Sequence, residues 1–494
     1  MPSNPETIIR DIQMEFDSLI DFVAGEQART AQVYAIERGL LGRLLALGRQ
    51  LLTLFLVVRA RTSDHTARQS LKGRSLPYHS DKRRSYLSIF GLIKFARPYF
   101  YAPSVDSADS LSVSPLDVEL GLPLDRYSDL LREMSESLAV EVPYGKTASF
   151  FERFFGLGLS SRVLSKMIED DACDVSAFYQ AKPAPPVAEE GVFLVLQADG
   201  KGVPLVRNEQ GRLQKKEAIV TGLYTSEPRV RSAEDVVASF YEKEAKTGVC
   251  TQDSSAEDRS AEDRSALRPQ QKQLWATLAG KDAALDHLQD QVRLRQRAHP
   301  QAQIALCDGD AALQGRIETR FPDFELVLDF VHVSGYLWKA AEVLFEAQEK
   351  RQDWVEQQAL ELLRGASEAV IEQVEQEARQ RGSWRREKLR QVAGYFRHNQ
   401  GRMHYDRYLA RGWPIASGVI EGACRHLVKD RCEGTGMRWT KPGAEALLGL
   451  RSVYINGDWE AYHVFHRQRA YRRRYGGAAP VYDLAEEQAL KWAA

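Results

Sequence analysis

The sequence predicts an α/β protein: a mixed sheet flanked by helices, interrupted by an all-helical stretch and preceded by a mostly helical region. Three observations point there. GVFLVLQADGKGVPLV, from 191, reads as a strand, a turn and a second strand, and EAIVTGLYTSE follows as a third. Two short apolar runs, Ile304–Leu306 and Phe324–Leu328, then run into aspartates, Asp308 and Asp329. Between them, and again from 340 to about 410, apolar residues recur at helical spacing in a background of Glu, Gln and Ala.

At 494 residues the chain is too long for one core, so three or more modules are expected. Its 44% hydrophobic and 27% charged residues are those of a soluble globular protein. The net charge of −1 means that a polyanion-binding surface must come from local clustering. The five cysteines, Cys173, Cys250, Cys307, Cys424 and Cys432, include no CxxC pair. No zinc ribbon or disulfide framework is expected, and a reducing cytoplasm fits. The N-terminus lacks a secretory pattern. Leu40–Val58 is the most apolar segment, but Arg43 and Arg49 interrupt it, so a buried or self-associating helix is expected rather than a membrane span.

In chain order, residues 1–58 read as two helices, with Ile8, Ile12, Phe16 and Ile20 on one apolar face and Leu40 to Phe55 on another. They form either a hairpin packed on the body or a dimer contact. Residues 59–122 open with a one-sided basic run that includes Lys82, Arg83 and Arg84, interleaved with Tyr78, Tyr86, Phe90 and Phe95. That pattern suits phosphate contact. YLSIFGLIKFARPYFYAP alternates as a β-hairpin, and 103–122 reads as a linker. Residues 123–185 are helical, with a helix-turn-helix pattern near 147–170 built on Gly156-Leu157-Gly158 and a Ser160 or Ser161 cap. The segment 186–338 carries the strands, a polar loop with SAEDR in tandem at 255–264, and a long polar helix from Gln273 to Arg297. The helical stretch spans 339–410. The last segment, 411–494, has a helix start at Ser417-Gly418, Glu421 in its first turns and a basic tail from Arg467 to Arg474.

Strand-strand-strand, helix, strand-Asp, strand, helix-Glu is the element order of an RNase H-like fold. It would bring Asp199, Asp308 and Glu421 together. Phosphoryl transfer on DNA uses two hard cations about 3.5–4 Å apart, one at the attacking and one at the leaving oxygen. Carboxylates suit magnesium, whereas His and Cys would favour zinc. Each residue also has a plain structural reading. Asp199 before Gly200 suits a turn. Of Asp308 and Asp310, one suits capping the next helix, and Asp310 is better placed for that. Glu421 suits a helix N-terminus.

The segments QADGKG at 197–202, CDGDAAL at 307–313, FPDFELVLDFVHVSGYLW at 321–338 and PIASGVIEGACRHLVKDRCEGTGMRW at 414–439 resemble bacterial insertion-sequence transposases of the DDE type. The resemblance is to the Kra-type family, related to Mutator-like transposases. It covers roughly 190–475. It implies an RNase H-like catalytic core with a helical insertion before the glutamate, and Asp199, Asp308 and Glu421 as the metal-binding triad. Asp329 and His332 match the Mutator-like Asp-x-x-His pattern, so His332 is expected to touch DNA or support the site. Lys429, Arg431 and Arg438 are expected to face the DNA backbone. Trp439 is expected either to stack on a base or to sit in the core. Related chains carry cysteine pairs after a segment like FGLIKFARPYFY; this chain has no cysteine before Cys173.

The expected function is therefore a DNA transposase that cleaves element ends and transfers the strand to target DNA. Mg²⁺ is the expected cofactor, with Mn²⁺ as a substitute and no zinc. The expected partners are double-stranded DNA and a second copy or a higher synaptic oligomer, with no membrane. The location expected is the cytoplasm, at the nucleoid. The competing reading is an inactive, transposase-derived DNA-binding protein.

Overall fold

The computed structural model describes residues 4–62, 69–71, 74–103, 111–207, 210–247, 269–295, 301–434 and 436–476. Cys250 and the tandem SAEDR at 255–264 lie outside them. The chain forms two compact units. One comprises Met1–Asp174 with Trp459–Ala494, the other Val175–Asp458.

In the first unit, α1 (Pro5–Ala24) and α2 (Val33–Thr62) form the expected helical pair. Asn4 caps α1, with Pro5 opening the helix. After the short antiparallel pair β1 (Gln69–Leu71) and β2 (Arg74–Leu76), the inner ends of both helices pack on a hairpin, β3 (Tyr78–Ser88) and β4 (Gly91–Ala102), through Ile8, Leu56, Val57, Ala60, Ile93 and Phe95; β5 is Leu111–Val113. Phe16 and Ile20 are exposed rather than continuing the Ile8 face. The stretch expected as a linker is partly ordered: Leu111–Val113 pairs with β4, and Pro115–Glu119 is a helix. It brings Asp117 against Arg84 at 2.7 Å and Arg97 at 2.6 Å.

Next, α4 (Asp129–Ala139), α5 (Tyr144–Phe155) and α6 (Ser161–Asp171) follow, after the short α3 at 115–119. The expected helix-turn-helix spacing is present. Gly156 ends α5 at φ +65°, a left-handed position that favours glycine, and the Ser160 hydroxyl accepts from Val163 N to start α6. The C-terminal helix Trp459–Tyr475 belongs to this unit, not to the sheet unit as the sequence division placed it. Its basic run is largely paired. Arg467 meets Glu133, Arg469 and Arg473 meet Asp174, and Arg474 meets Asp129.

The second unit is α/β, with a mixed five-stranded sheet flanked by helices. Its strands are β6 (Phe193–Leu205), β7 (Gln214–Ser226), β8 (Gln270–Thr277), β9 (Ala302–Cys307) and β10 (Glu325–Leu328). Their spatial order is β10-β9-β6-β7-β8. β6, β7 and β8 are antiparallel, whereas β9 runs parallel to both β6 and β10. Two expectations are corrected here. GVFLVLQADGKGVPL has no turn: β6 continues through Asp199-Gly200 because β7 pairs with it as far as Leu205. The third strand is Gln270–Thr277, which the sequence reading gave partly to a polar helix. Its backbone pairs with β7, and the helix starts only at Lys281, after Gly280 at φ +109°.

Strand alternation sorts the core into two faces. On one, Leu194, Leu196, Ala305 and Cys307 pack on the helices Lys281–Arg295 and Ala311–Arg320. On the other, Val195, Leu306 and Val327 pack on a group of helices that follows β10, Phe330–Leu344, Gln348–Leu363, Ser367–Arg379, Ser383–Asn399 and Tyr405–Ala410. The residues from 330 to 410 are mostly helical, starting nine residues before the expected 339.

Candidate active site

Pairing register builds the site. Ala198 pairs with Cys307, and Cys307 with Leu328. The next residues are Asp199, Asp308 and Asp329, so three neighbouring strands present aspartates side by side, about 5 Å apart along the hydrogen-bonding direction. By alternation all three lie on the face that carries Val195, Leu306 and Val327.

The helix Gly418–Ala423 brings Glu421 within electrostatic reach of Asp329 and Asp199. It is held by Gln197, a fully buried amide in the middle of β6. Gln197 Oε1 accepts from Ile420 N at 2.9 Å, and its Nε2 donates to the Tyr224 hydroxyl at 3.1 Å. Sequence reading passed over Gln197. The available signal was a lone amide within FLVLQADG, since a buried polar side chain requires partners.

Asp329 is fully buried and its carboxylate is saturated. Oδ1 accepts from Val331 N at 3.1 Å and Ser417 N at 2.9 Å. Oδ2 accepts from the Ser417 hydroxyl at 2.6 Å and contacts His332 Nδ1 at 2.7 Å. Asp329 thus caps the helix Phe330–Leu344 and pins the loop leading to Glu421. The Ser417 oxygen also lies 3.2 Å from Glu421 Oε1, and its single hydrogen serves the closer Asp329. Asp329, His332 and Glu421 bring ligand atoms within 4.8 Å of one another.

The other acids are less occupied. Asp199 Oδ1 accepts from Gly200 N at 2.6 Å, and the Cys424 thiol donates to its Oδ2 at 3.4 Å. Asp308 Oδ1 accepts from Asp310 N at 3.1 Å. Asp310 faces away from this role. It caps the helix Ala311–Arg320, accepting from Ala312 N at 2.8 Å and Leu313 N at 3.2 Å, and it pairs with Lys281. Asp310 thus takes the capping position expected of it.

The electrostatics are those of crowded acids. Burial raises the Asp308 carboxyl above its ordinary range; the Asp310 N–H and His332 oppose this, and the charges of Asp199 and Asp310 add to it. Partial desolvation likewise raises Glu421, whose side chain is exposed at the rim, with Asp329 and Asp199 adding and Ser417 opposing. His332 is raised to about 9, first by its hydrogen bond with Asp329 and then by the surrounding acids, against the effect of burial. At neutral pH it is an imidazolium in a ring of carboxylates.

Gly309 sits between Asp308 and Asp310 directly under Tyr395, whose ring stacks on Tyr336 with centroids 3.7 Å apart. A Cβ at 309 would lie 2.1 Å from the Tyr395 ring. Gly309→Ala is expected to displace that stack, costing about 1–3 kcal/mol. Thermal unfolding checks this: the variant should melt several degrees lower, and an unchanged melting temperature would show that the ring yields freely.

Several expected DNA contacts are corrected by burial. Arg431 is 1% exposed and its guanidinium lies 4.9 Å from the Trp439 ring centroid. Trp439 is itself buried, and its indole N–H donates to Cys432 O at 3.0 Å, so it belongs to the core and has no open face for a base. Arg84 is enclosed by Asp117 and by the carbonyls of Pro123 and Asp125. Arg83 and Arg438 are exposed, Lys429 is half-buried, and exposed Lys82 sits 4.0 Å over the Tyr99 ring. Arg68 and Lys72 lie outside the described residues.

After Glu421 the helix widens into a π-turn, Cys424–Lys429. The buried Arg451 donates through Nε to His426 O at 3.1 Å and Leu427 O at 3.0 Å, satisfying carbonyls that the wider turn releases. Neither a protein-family model nor a curated protein matches this chain.

Proposed function

We propose that this protein is a DNA transposase of the DDE type, with an RNase H-like core and a helical insertion between its second and third acids. The observation that carries the reading is the convergence of Asp199 and Asp308, from adjacent parallel strands, with Glu421 from a helix held against the same strand by Gln197. The strand order β10-β9-β6-β7-β8, with β10, β9 and β6 mutually parallel and β6, β7 and β8 antiparallel, supports it. So does the run of helices between β10 and Glu421.

The donor set fits a hard divalent cation. It consists of three carboxylates, and desolvation and neighbouring acids push Asp308 and Glu421 above their ordinary range, which a dication would relieve. Asp199, Asp308 and Glu421 would hold Mg²⁺ or Mn²⁺, and the bound metal would activate the attacking oxygen and stabilise the leaving oxygen in phosphoryl transfer. Asp329 is a positioning residue: it fixes the loop before Glu421 and orients His332. The His332 imidazolium offsets the acids and would contact an incoming phosphate. Exposed Lys82, Arg83, Lys94 and Arg438 offer phosphate contacts. The proposed location is the cytoplasm, on DNA.

The test is strand cleavage on DNA that carries the element's ends. Mg²⁺-dependent nicking at those ends, giving 3′-hydroxyls, is expected. Tight, metal-independent binding to the ends without any nicking would favour the transposase-derived DNA-binding protein instead.

A further inference from the structure

We propose that the face formed by α1 and α2 is a self-association surface whose occupant is a second copy of this chain. Two stripes carry the proposal. In α1, Ile9, Phe16, Ile20 and Val23 follow steps of seven, four and three; in α2, Leu41, Leu44, Leu51, Phe55 and Val58 follow three, seven, four and three. That is the heptad rhythm of a helix seam made to take another helix. All nine side chains are exposed, between 39% and 54%. They are not the surfaces the two helices use on each other or on the hairpin. Those involve Ile8, Leu19, Leu56, Val57 and Ala60, together with Phe22 against Gly39 and under the Arg43 guanidinium.

Charge selects the partner. The 20 residues of α1 carry five acids against Arg10, net −4; the 30 residues of α2 carry five arginines against Glu37, net +4. On a helical wheel at 100° per residue, Glu6, Asp17 and Asp21 fall with Arg10 on one margin of the α1 stripe, net −2, and Arg38 and Arg49 fall on one margin of the α2 stripe, net +2. All six are exposed. A two-fold axis that lays α1 of one protomer over α2 of the other sets acidic margin against basic margin twice. Covering the nine half-exposed side chains removes roughly 800 Å² per protomer, the area of a standard stable interface.

A lipid surface is the competing occupant, because α2 is long and apolar enough to cross a membrane. Its arginines argue against that. Arg43 is mid-helix and already engages the Ser18 hydroxyl at 3.1 Å, and an arginine at the centre of a spanning helix is costly. The buried side of α2 is also fixed to β4.

The experiment is sedimentation equilibrium on the full chain, with a vesicle flotation arm using anionic phospholipid. The wild type is expected to be a dimer at about 10 µM and not to float. Leu44→Gln with Leu51→Gln should weaken the dimer by roughly a hundredfold or more while keeping the wild-type circular-dichroism spectrum, because both positions are exposed in the monomer. Asp17→Arg with Asp21→Arg should also weaken it, and adding Arg38→Glu with Arg49→Glu should restore it. A monomeric wild type, a dimer insensitive to these changes, or flotation of monomers overturns the proposal. The result is independent of whether the acids cleave DNA.

Discussion

Asp308→Asn is expected to lower Mg²⁺-dependent strand cleavage by roughly a thousandfold or more while leaving binding to element ends nearly intact. The substitution keeps the shape and the acceptor for Asp310 N but removes a charge at the point where three strands present acids. Asp199→Asn and Glu421→Gln should behave the same way, and the double variants should be little worse than the singles, since ligands of one centre act as a unit. Asp310→Asn is the internal control. Asp310 caps a helix and pairs with Lys281, so its replacement should cost about 1 kcal/mol of stability and leave cleavage within several-fold of the wild type. Cleavage that survives Asp308→Asn but fails with Asp310→Asn would reverse the assignment.

The second large effect lies away from this site. His466 is buried between Asp174, at 2.8 Å, and Asp171, at 3.5 Å; Arg132 also meets Asp171 at 3.1 Å. Burial works against the charged imidazole, but its hydrogen bonds with Asp171 and Asp174 outweigh this and raise it to about 11. Burial also opposes ionisation of both aspartates; His466 and the nearby arginines nevertheless hold them well below the ordinary range. Buried Glu136 is raised well above the usual 4.5 by desolvation and by Asp171. A raised imidazole stabilises fully below its unfolded value of 6.5 and loses that contribution as pH climbs to about 11. Depressed aspartates stabilise above 3.8 and lose the contribution as pH falls. The raised Glu136 has the same sign as His466. The imidazole and the two aspartates should therefore contribute most between about pH 4 and 6.5, while Glu136 loses its share as pH rises above 4.5. His466→Gln removes one partner of a buried charged network and should cost roughly 3–5 kcal/mol in that window. Melting temperatures of wild type and variant, followed from pH 3.5 to 10, should differ most there, keep most of the gap at pH 3.5 and narrow steadily toward pH 10. A pH-independent gap would mean that His466 contributes packing alone.

Cys173, Asp174 and His466 could be taken for a metal cluster, since their ligand atoms fall within 4.8 Å. Asp174 already accepts from Arg469 and Arg473, and Arg473 also reaches the Cys173 sulfur at 3.4 Å. Two guanidiniums at the ligands make this an ion-pair network, not a cation site.

The acids were legible in the sequence because strand-end aspartates and a helix-start glutamate follow local rules. Asp199 and Asp308 stood out by the apolar runs before them, and Asp310 by its position ahead of a helical pattern. What sequence could not supply was the long-range partner. Arg84 reads as a free cation until Asp117, folded back from an apparent linker, encloses it. Arg431 reads as DNA-facing, and Trp439 as either a base-stacking or a core residue, until the fold buries both. Gln270–Thr277 reads as polar and helical because an edge strand of glutamines has no apolar alternation; its pairing with β7 overrides propensity. Asp329 illustrates the opposite case. Its pattern pointed to the site, but only the loop at Ser417, 88 residues away, shows that its oxygens are already taken.

The most direct measurement is anomalous diffraction from crystals of the protein soaked in Mn²⁺. The account predicts Mn²⁺ within coordination distance of Asp199, Asp308 and Glu421, lost in Asp308→Asn, with none at Cys173, Asp174 and His466. Well-ordered acids with no Mn²⁺ among them, in crystals that bind the ion elsewhere, would contradict it.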